Sequence, residues 1–277
     1  MKRSSPIFLE LLQFRTTISL LLNYRDLIRI LTWRDFLARF RGSIFGLLWA
    51  VAQPLLMMGV YTLVFSYILK VRFTSNDSPT EFAVYLLCGL VPWNSFNEGI
   101  NASCSLMRAN PNLVKKVVFP LEVLPVNLTL VTMIQQSIGL ILLFVLTFFV
   151  VGTLHWQIIF IPIFLLLQFM LQTGLTWILS SISVYLPDIR QVISLITLSL
   201  MFITPIMYPE TLVPDRFRLI VMLNPLAQLI GMYRRVLMEG KSPTFEQLLM
   251  VSISSLFFWM VGFVWFNRTK YAFPDFL

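Results

Sequence analysis

Residues 121–151 read LEVLPVNLTLVTMIQQSIGLILLFVLTFFVV, and after Glu122 no charged side chain interrupts the run. About 20 mostly apolar residues suffice for a helix to cross the hydrocarbon core of a bilayer. The stretch therefore predicts a transmembrane helix with length to spare. Working outward, five further apolar runs lie at 44–69, 82–107, 157–185, 192–208 and 245–266. The second is broken by Pro92 and polar in its second half. Together they predict an all-α, polytopic membrane protein with six transmembrane helices.

Composition supports the same class. Of 277 residues, 57% are hydrophobic and only 12% charged, against roughly a quarter charged in soluble domains. The mean hydropathy is +0.80. A soluble fold of this size has no place for so much apolar surface, so the excess faces lipid. The net charge of +8 then reads as membrane topology and contact with anionic headgroups rather than nucleic-acid binding. The two cysteines, Cys88 and Cys104, are about 24 Å apart if one helix carries both. They read as small buried hydrophobes.

Basic residues set the orientation. With both termini in the cytoplasm, the inner segments hold fourteen of the 21 Lys and Arg, including Lys2, Arg3, Arg15, Arg108, Arg190 and Lys270. The outer side holds Lys70, Arg72, Arg216, Arg218, Arg234, Arg235 and Lys241. No cleavable signal is expected, because the first long apolar run follows about forty residues rich in Arg.

Residues 1–42 form a cytoplasmic segment, and 43–277 the six-span domain. Within the first, Leu20, Tyr24, Leu27, Ile28 and Leu31 recur at helical spacing. Arg25, Arg29, Arg34 and Arg39 fall largely on other faces, and Asp35 stands four before Arg39, suited to a local pair. This is the pattern of an amphipathic helix lying in the membrane interface.

Two other segments stand out. In 108–120 (RANPNLVKKVVFP), Pro111 suits a first helical turn with Asn110 as its cap, and Pro120 ends it. A helix over about 111–119 is too short to be stable alone, and needs something to pack against. The connection 209–244 carries Pro209, Pro214 and Pro225 yet is rich in Leu, which fits short re-entrant helices, since broken backbone at membrane depth survives only inside protein or beside a cavity. A surface loop with amphipathic turns is the other reading.

Catalytic chemistry is absent from the pattern. Gly240-Lys241-Ser242 resembles the end of a phosphate loop, but position 235 holds Arg where a glycine is required and no strand precedes it. His155 is the only histidine, and no carboxylate pair has acid–base spacing. The chain reads as a non-enzyme without a cofactor of its own; if it moves something uphill, the ATPase is a different polypeptide.

Asn94, Asn97, Glu98 and Asn101 share one face of the second span. Such a face either hydrogen-bonds between helices or lines a water-filled pathway. Trp49, Tyr61, Phe65 and Tyr67 in the first span, with Trp93 and Phe96 in the second, either meet lipid or offer flat surfaces to sugar CH groups. Trp49, Tyr61, Phe65, Trp93, Asn97 and Glu98 are the channel-lining candidates.

Several ordered stretches resemble polysaccharide-exporting ABC permeases: WRDFLARFRGS at 33–43, GLLWAVAQPL at 46–55, LVPWNSF at 90–96, NLVKKVVFPLEVLP at 112–125, TPIMYP at 204–209 and LNPL at 223–226. The similarity covers about 25–240 and looks closest to O-antigen exporters, with teichoic-acid and capsule exporters as relatives. YLPDIR at 185–190 departs from it, carrying Leu-Pro where many relatives have a basic or polar pair.

The resemblance implies a channel subunit for lipid-linked polysaccharide in the bacterial inner membrane. It implies a homodimer resting on two copies of a separate ATPase subunit. Asn112, Leu113, Val114, Lys115 and Lys116 would form the coupling helix, and Arg25, Arg29, Trp33, Arg34 and Asp35 the interface helix that gates the entrance. Residues 210–240 would be re-entrant gate helices on the outer side. Two competing classes are an ABC exporter of drugs or small lipids and a membrane-embedded glycosyltransferase, the latter disfavoured by the missing carboxylates and histidines.

Overall fold

A computed structural model describes residues 14–68, 79–115, 119–152 and 155–276. Among these every regular element is helical. An amphipathic pair, α1 (Phe14–Asn23) and α2 (Arg25–Ala38), leads through a glycine-containing turn into α3 (Trp49–Tyr61), which continues as a π-helix over Thr62–Ile68. Then come α4 (Pro79–Ser103), the short α5 (Leu106–Ala109) and α6 (Pro111–Lys115), α7 (Val123–Val151) and α8 (Ile161–Tyr185). The chain ends with α9 (Ile189–Ile203), α10 (Asp215–Leu223), α11 (Pro225–Leu237), α12 (Phe245–Thr269) and α13 (Phe273–Phe276).

Four helical stretches of the described residues are long and apolar enough to cross a membrane: Gly46–Phe65, Val123–Val150, Trp156–Tyr185 and Phe245–Phe276. The other two expected spans differ from these. Helix α4 has 25 residues, ample length, but its polar second half dilutes its apolarity. Helix α9 has 15 residues, about 22 Å of helix against a core of about 30 Å. It stops at Ile203 because Thr204-Pro205 turns the chain.

Helix ends follow local chemistry. Gly152, at φ 79°, caps α7 in the left-handed region and its N–H bonds the Phe148 carbonyl, as favoured at a helix C-terminus. Thr244 and Gln247 form a reciprocal capping box at the start of α12.

The tightest crossing is α8 on α12. A Cβ on Gly262 would lie 2.1 Å from the Gly174 carbonyl oxygen, and one on Gly174 2.3 Å from the Phe258 backbone. With no hydrophobic drive between helices in lipid, such close approach supplies the packing. Trp177, Trp259 and Phe263 stack edge-on beside it, with centroids 5.0 and 5.4 Å from Trp177.

Helix α4 lies at the centre, against α7, α8, α9 and α11. Pro92 removes one of its backbone bonds, and α8 adds side-chain bonds there. Gln168 donates to the Pro92 carbonyl and Gln172 to the Ser95 carbonyl, both at 3.1 Å. Gln136 on α7 and Gln168 exchange amide bonds at 2.8 Å. Gly99 makes room, since a Cβ there would meet Gln172 Nε2 at 2.0 Å. These glutamines act as interhelical glue. Both cysteines are buried and free.

Candidate functional site

Two grooves flank α4. The larger, about 1020 Å³, runs between α4 and α9 and is lined by Trp93, Asn97, Glu98, Asn101, Arg190 and Thr197 among others. The smaller, about 300 Å³, opens between α3, α4 and α7 beside Gln53, Tyr61, Asn94, Glu98 and Gln135. Glu98 borders both. The polar face of α4 thus divides its work. Asn101 donates to Asn97 Oδ1 (2.9 Å) and to Thr197 Oγ1 on α9 (3.2 Å), while Asn94 and Glu98 are exposed in the single chain.

Of the aromatic candidates, Trp93 and Tyr61 border these grooves. Phe65 instead packs on Tyr61 and Phe82, with ring centroids 6.3 and 5.7 Å away. Trp49 is exposed on α3, edge-on to Phe45 at 5.9 Å, and lines neither groove.

Helix α2, the expected interface helix, reaches this site. On α2, Ile28, Leu31, Thr32 and Phe36 are buried and Arg25, Arg29 and Arg34 are exposed, as the amphipathic pattern requires, whereas the aromatic Trp33 and, just before the helix, Tyr24, apolar by the same pattern, are exposed. The expected Asp35–Arg39 pair does not form. Arg39 pairs with Glu98 at 2.5 Å, and Asp35 pairs with Arg34 (2.8 Å) and accepts from Asn127 Nδ2 (2.6 Å). Arg39 follows the last residue of α2, and a carboxylate from α4 is better placed than one a turn back. Gln135 donates to the Ala50 carbonyl (2.9 Å) beside a small core of Phe36, Ala50 and Val131. The helix is therefore bound to α4 and α7.

Its outer face forms a third groove of about 1220 Å³. Arg25, Arg29, Arg34 and Arg41 rim it, and Val126, Leu130, Ile134 and Phe169 contribute apolar lining. Positive charge over an apolar surface suits an anionic group carried on a lipid chain.

Opposite faces of the short helix α6 differ in exposure. Asn112 and Lys115 are exposed, Leu113 is half-buried and Val114 buried. Lys116 and the rest of the expected helix to 118 lie outside the described residues, as do Lys2, Arg3, Lys70 and Arg72. Asn110 does not act as a cap through its amide, which donates back to the Leu106 carbonyl at 2.9 Å.

In the segment after α9 two motifs meet. Asn224 caps α11 by accepting from the Leu226 and Ala227 amides (3.0 and 3.4 Å), and its own amide donates to Thr204 Oγ1 (2.9 Å). Arg234, 5% exposed, donates to the Pro205 and Ile206 carbonyls at 2.6 and 2.7 Å and stacks 3.5 Å from the Tyr85 ring centroid. Sequence reasoning counted Arg234 only as an outer-side charge. Its position, four and eight residues after Ile230 and Leu226 on the buried stripe of α11, is the signal that places it inside. Gly240, at φ 62°, packs against His155, whose ring a Cβ would meet at 2.7 Å. The Gly-Lys-Ser stretch is thus a turn packed against the connection that carries His155.

Residues 26–238 match the model of the ABC-2 type transporter family. Among curated proteins, the chain is 29% identical to the O-antigen export system permease protein RfbA of Klebsiella pneumoniae, over 91% of this chain and 95% of that protein. It is 28% identical to the protein of the same name from Myxococcus xanthus, over 90% and 95%. The polysialic acid transport protein KpsM of Escherichia coli is 26% identical over 75% and 79%.

Proposed function

The chain belongs to the ABC-2 type transporter family, and on that premise we propose that it is the channel subunit of an exporter of lipid-linked polysaccharide of the O-antigen type. The polymer would cross the bacterial inner membrane through this subunit, driven by ATP and magnesium on a separate ATPase. The similarity to three permeases named for O-antigen export, over nine-tenths of the chain, supports the substrate class.

The observation that carries the mechanism is the meeting of two grooves at Glu98, held by Arg39 of the interface helix. In this reading α4 and α9 complete six spans with both termini in the cytoplasm. Two copies pair through the exposed apolar faces of α3 and α9, where Leu56, Val60, Leu195 and Phe202 are among the uncovered side chains. The grooves beside α4 then become a shared channel. Trp93 and Tyr61 supply surfaces for sugar rings, and Asn97 and Glu98 supply hydrogen bonds. The interface helix guards the entrance, its arginines holding the anionic group between glycan and lipid. Helix α6, with Asn112, Leu113, Val114 and Lys115, and Lys116 next in sequence, seats in the ATPase. Helices α10 and α11 close the outer end.

Deletion of the gene tests this reading. Lipid-linked polymer should remain in the inner membrane and disappear from the cell surface, and the wild-type gene should restore it. Unchanged surface polymer, or altered drug tolerance with normal glycans, would overturn it.

A further inference from the structure

We propose that the ion pair between Glu122 and Lys270 is a brace that positions the coupling helix, so that displacement of α6 reaches the transmembrane helices instead of being lost in its loops. The inference rests on the coupling reading of α6. A helix of five residues cannot hold its own shape, so whatever fixes its flanks determines what its movement does.

Both flanks are fixed to the same place. Before α6, the Arg108 guanidinium donates to the Ser183 and Val184 carbonyls at the inner end of α8, at 3.3 and 3.0 Å. After it, the Glu122 carboxylate takes a hydrogen bond from Lys270 Nζ, with side chains 6% and 19% exposed. The Glu122 carbonyl accepts from Trp177 Nε1 at 3.1 Å. Tyr185 closes the frame: its hydroxyl donates to the Thr269 carbonyl (3.1 Å), and its ring meets Phe276 edge-on at 4.8 Å. Helices α8 and α12 are in turn locked at Gly174 and Gly262. Force on α6 therefore enters a rigid pair of long helices. Glu122 and Lys270 lie 148 residues apart, and theirs is the most buried ion pair among the described residues. Removing one partner leaves a buried charge uncompensated, whereas exchanging them restores the contact.

The test uses the full permease with its ATPase. Glu122→Gln, Lys270→Met, the charge swap Glu122→Lys/Lys270→Glu, and Lys115→Glu are compared for membrane-inserted protein, co-purified ATPase, ATP hydrolysis by the purified complex, and surface polymer. Each single variant should retain the ATPase but export at least about fivefold less polymer per ATP hydrolysed, the lower end of usual coupling between sites. The swap should recover most of the loss. Wild-type export per ATP in both singles, or export that falls only in proportion to inserted protein, would overturn the brace. So would a swap no better than the singles. If Lys115→Glu neither releases the ATPase nor lowers export, the coupling reading itself fails. If Lys115→Glu acts while the Glu122 and Lys270 singles are silent, the brace alone fails.

Discussion

Arg39, at the end of α2, and Glu98, in the last third of α4, form an ion pair at 2.5 Å across two elements more than fifty residues apart in sequence. It joins the amphipathic segment to the residue that borders both grooves. The side chains are 28% and 45% exposed, so the pair contributes at most about 1 kcal/mol to stability. Its importance lies in where it holds the helix.

Arg39→Glu and Glu98→Arg should each lower polymer export by about fivefold or more, and the double exchange should restore much of it. Melting of the detergent-solubilised protein should shift little in all three. Surface polymer normalised to inserted permease is the measurement, and wild-type export by both single variants would refute a gating role for this contact.

Gly174 and Gly262 set the closest helix approach. Either glycine changed to Ala forces α8 and α12 apart, at a cost of about 1–3 kcal/mol from overpacking, and to Leu more. Thermal unfolding in detergent should show Gly262→Ala destabilised well beyond Gly59→Ala, where a Cβ meets nothing within 4 Å. Equal melting of the two would contradict the packing argument.

Arg234 holds the segment after α9 through two short bonds to the Pro205 and Ile206 carbonyls and a stacked Tyr85 ring. Arg234→Met leaves those buried carbonyls short of a donor and should cost about 2 kcal/mol or more. Arg234→Lys should not rescue fully, because one ammonium cannot reproduce the planar fork. Tyr85→Phe keeps the ring and should be milder than Tyr85→Ala. Melting temperatures rank the four, and a neutral Arg234→Met would refute the clamp.

Charge reversal at Lys115 and Lys116 together should release the ATPase while leaving insertion intact. Co-purification reads this directly, and full retention of the ATPase with normal export would remove the coupling assignment.

The sequence made some of this plain and hid the rest for physical reasons. Long charge-free runs such as 123–151 have one interpretation in water and lipid, so α7, α8 and α12 were legible from hydropathy alone. Helix α4 was harder: its polar second half serves both a groove and an interhelical bond, and periodicity shows a shared face without showing what covers it. The Asp35–Arg39 expectation failed because spacing of four speaks only for partners within one helix, and Glu98 competes from another. Arg234 escaped notice because a cation near an outer loop reads as topology until its buried stripe is traced. Glu122 and Lys270 carried no local signal at all, since only tertiary folding brings them together.

In the proposed function, this chain passes lipid-linked polysaccharide across the membrane when its ATPase turns over. Inverted membrane vesicles containing the permease, its ATPase and lipid-linked polymer test it directly, with glycan-binding lectin reporting polymer left on the outer face. ATP should move polymer into the lumen, out of reach of the lectin, and vesicles lacking the permease should show no such protection. Polymer that stays fully lectin-accessible while the intact complex hydrolyses ATP would contradict it.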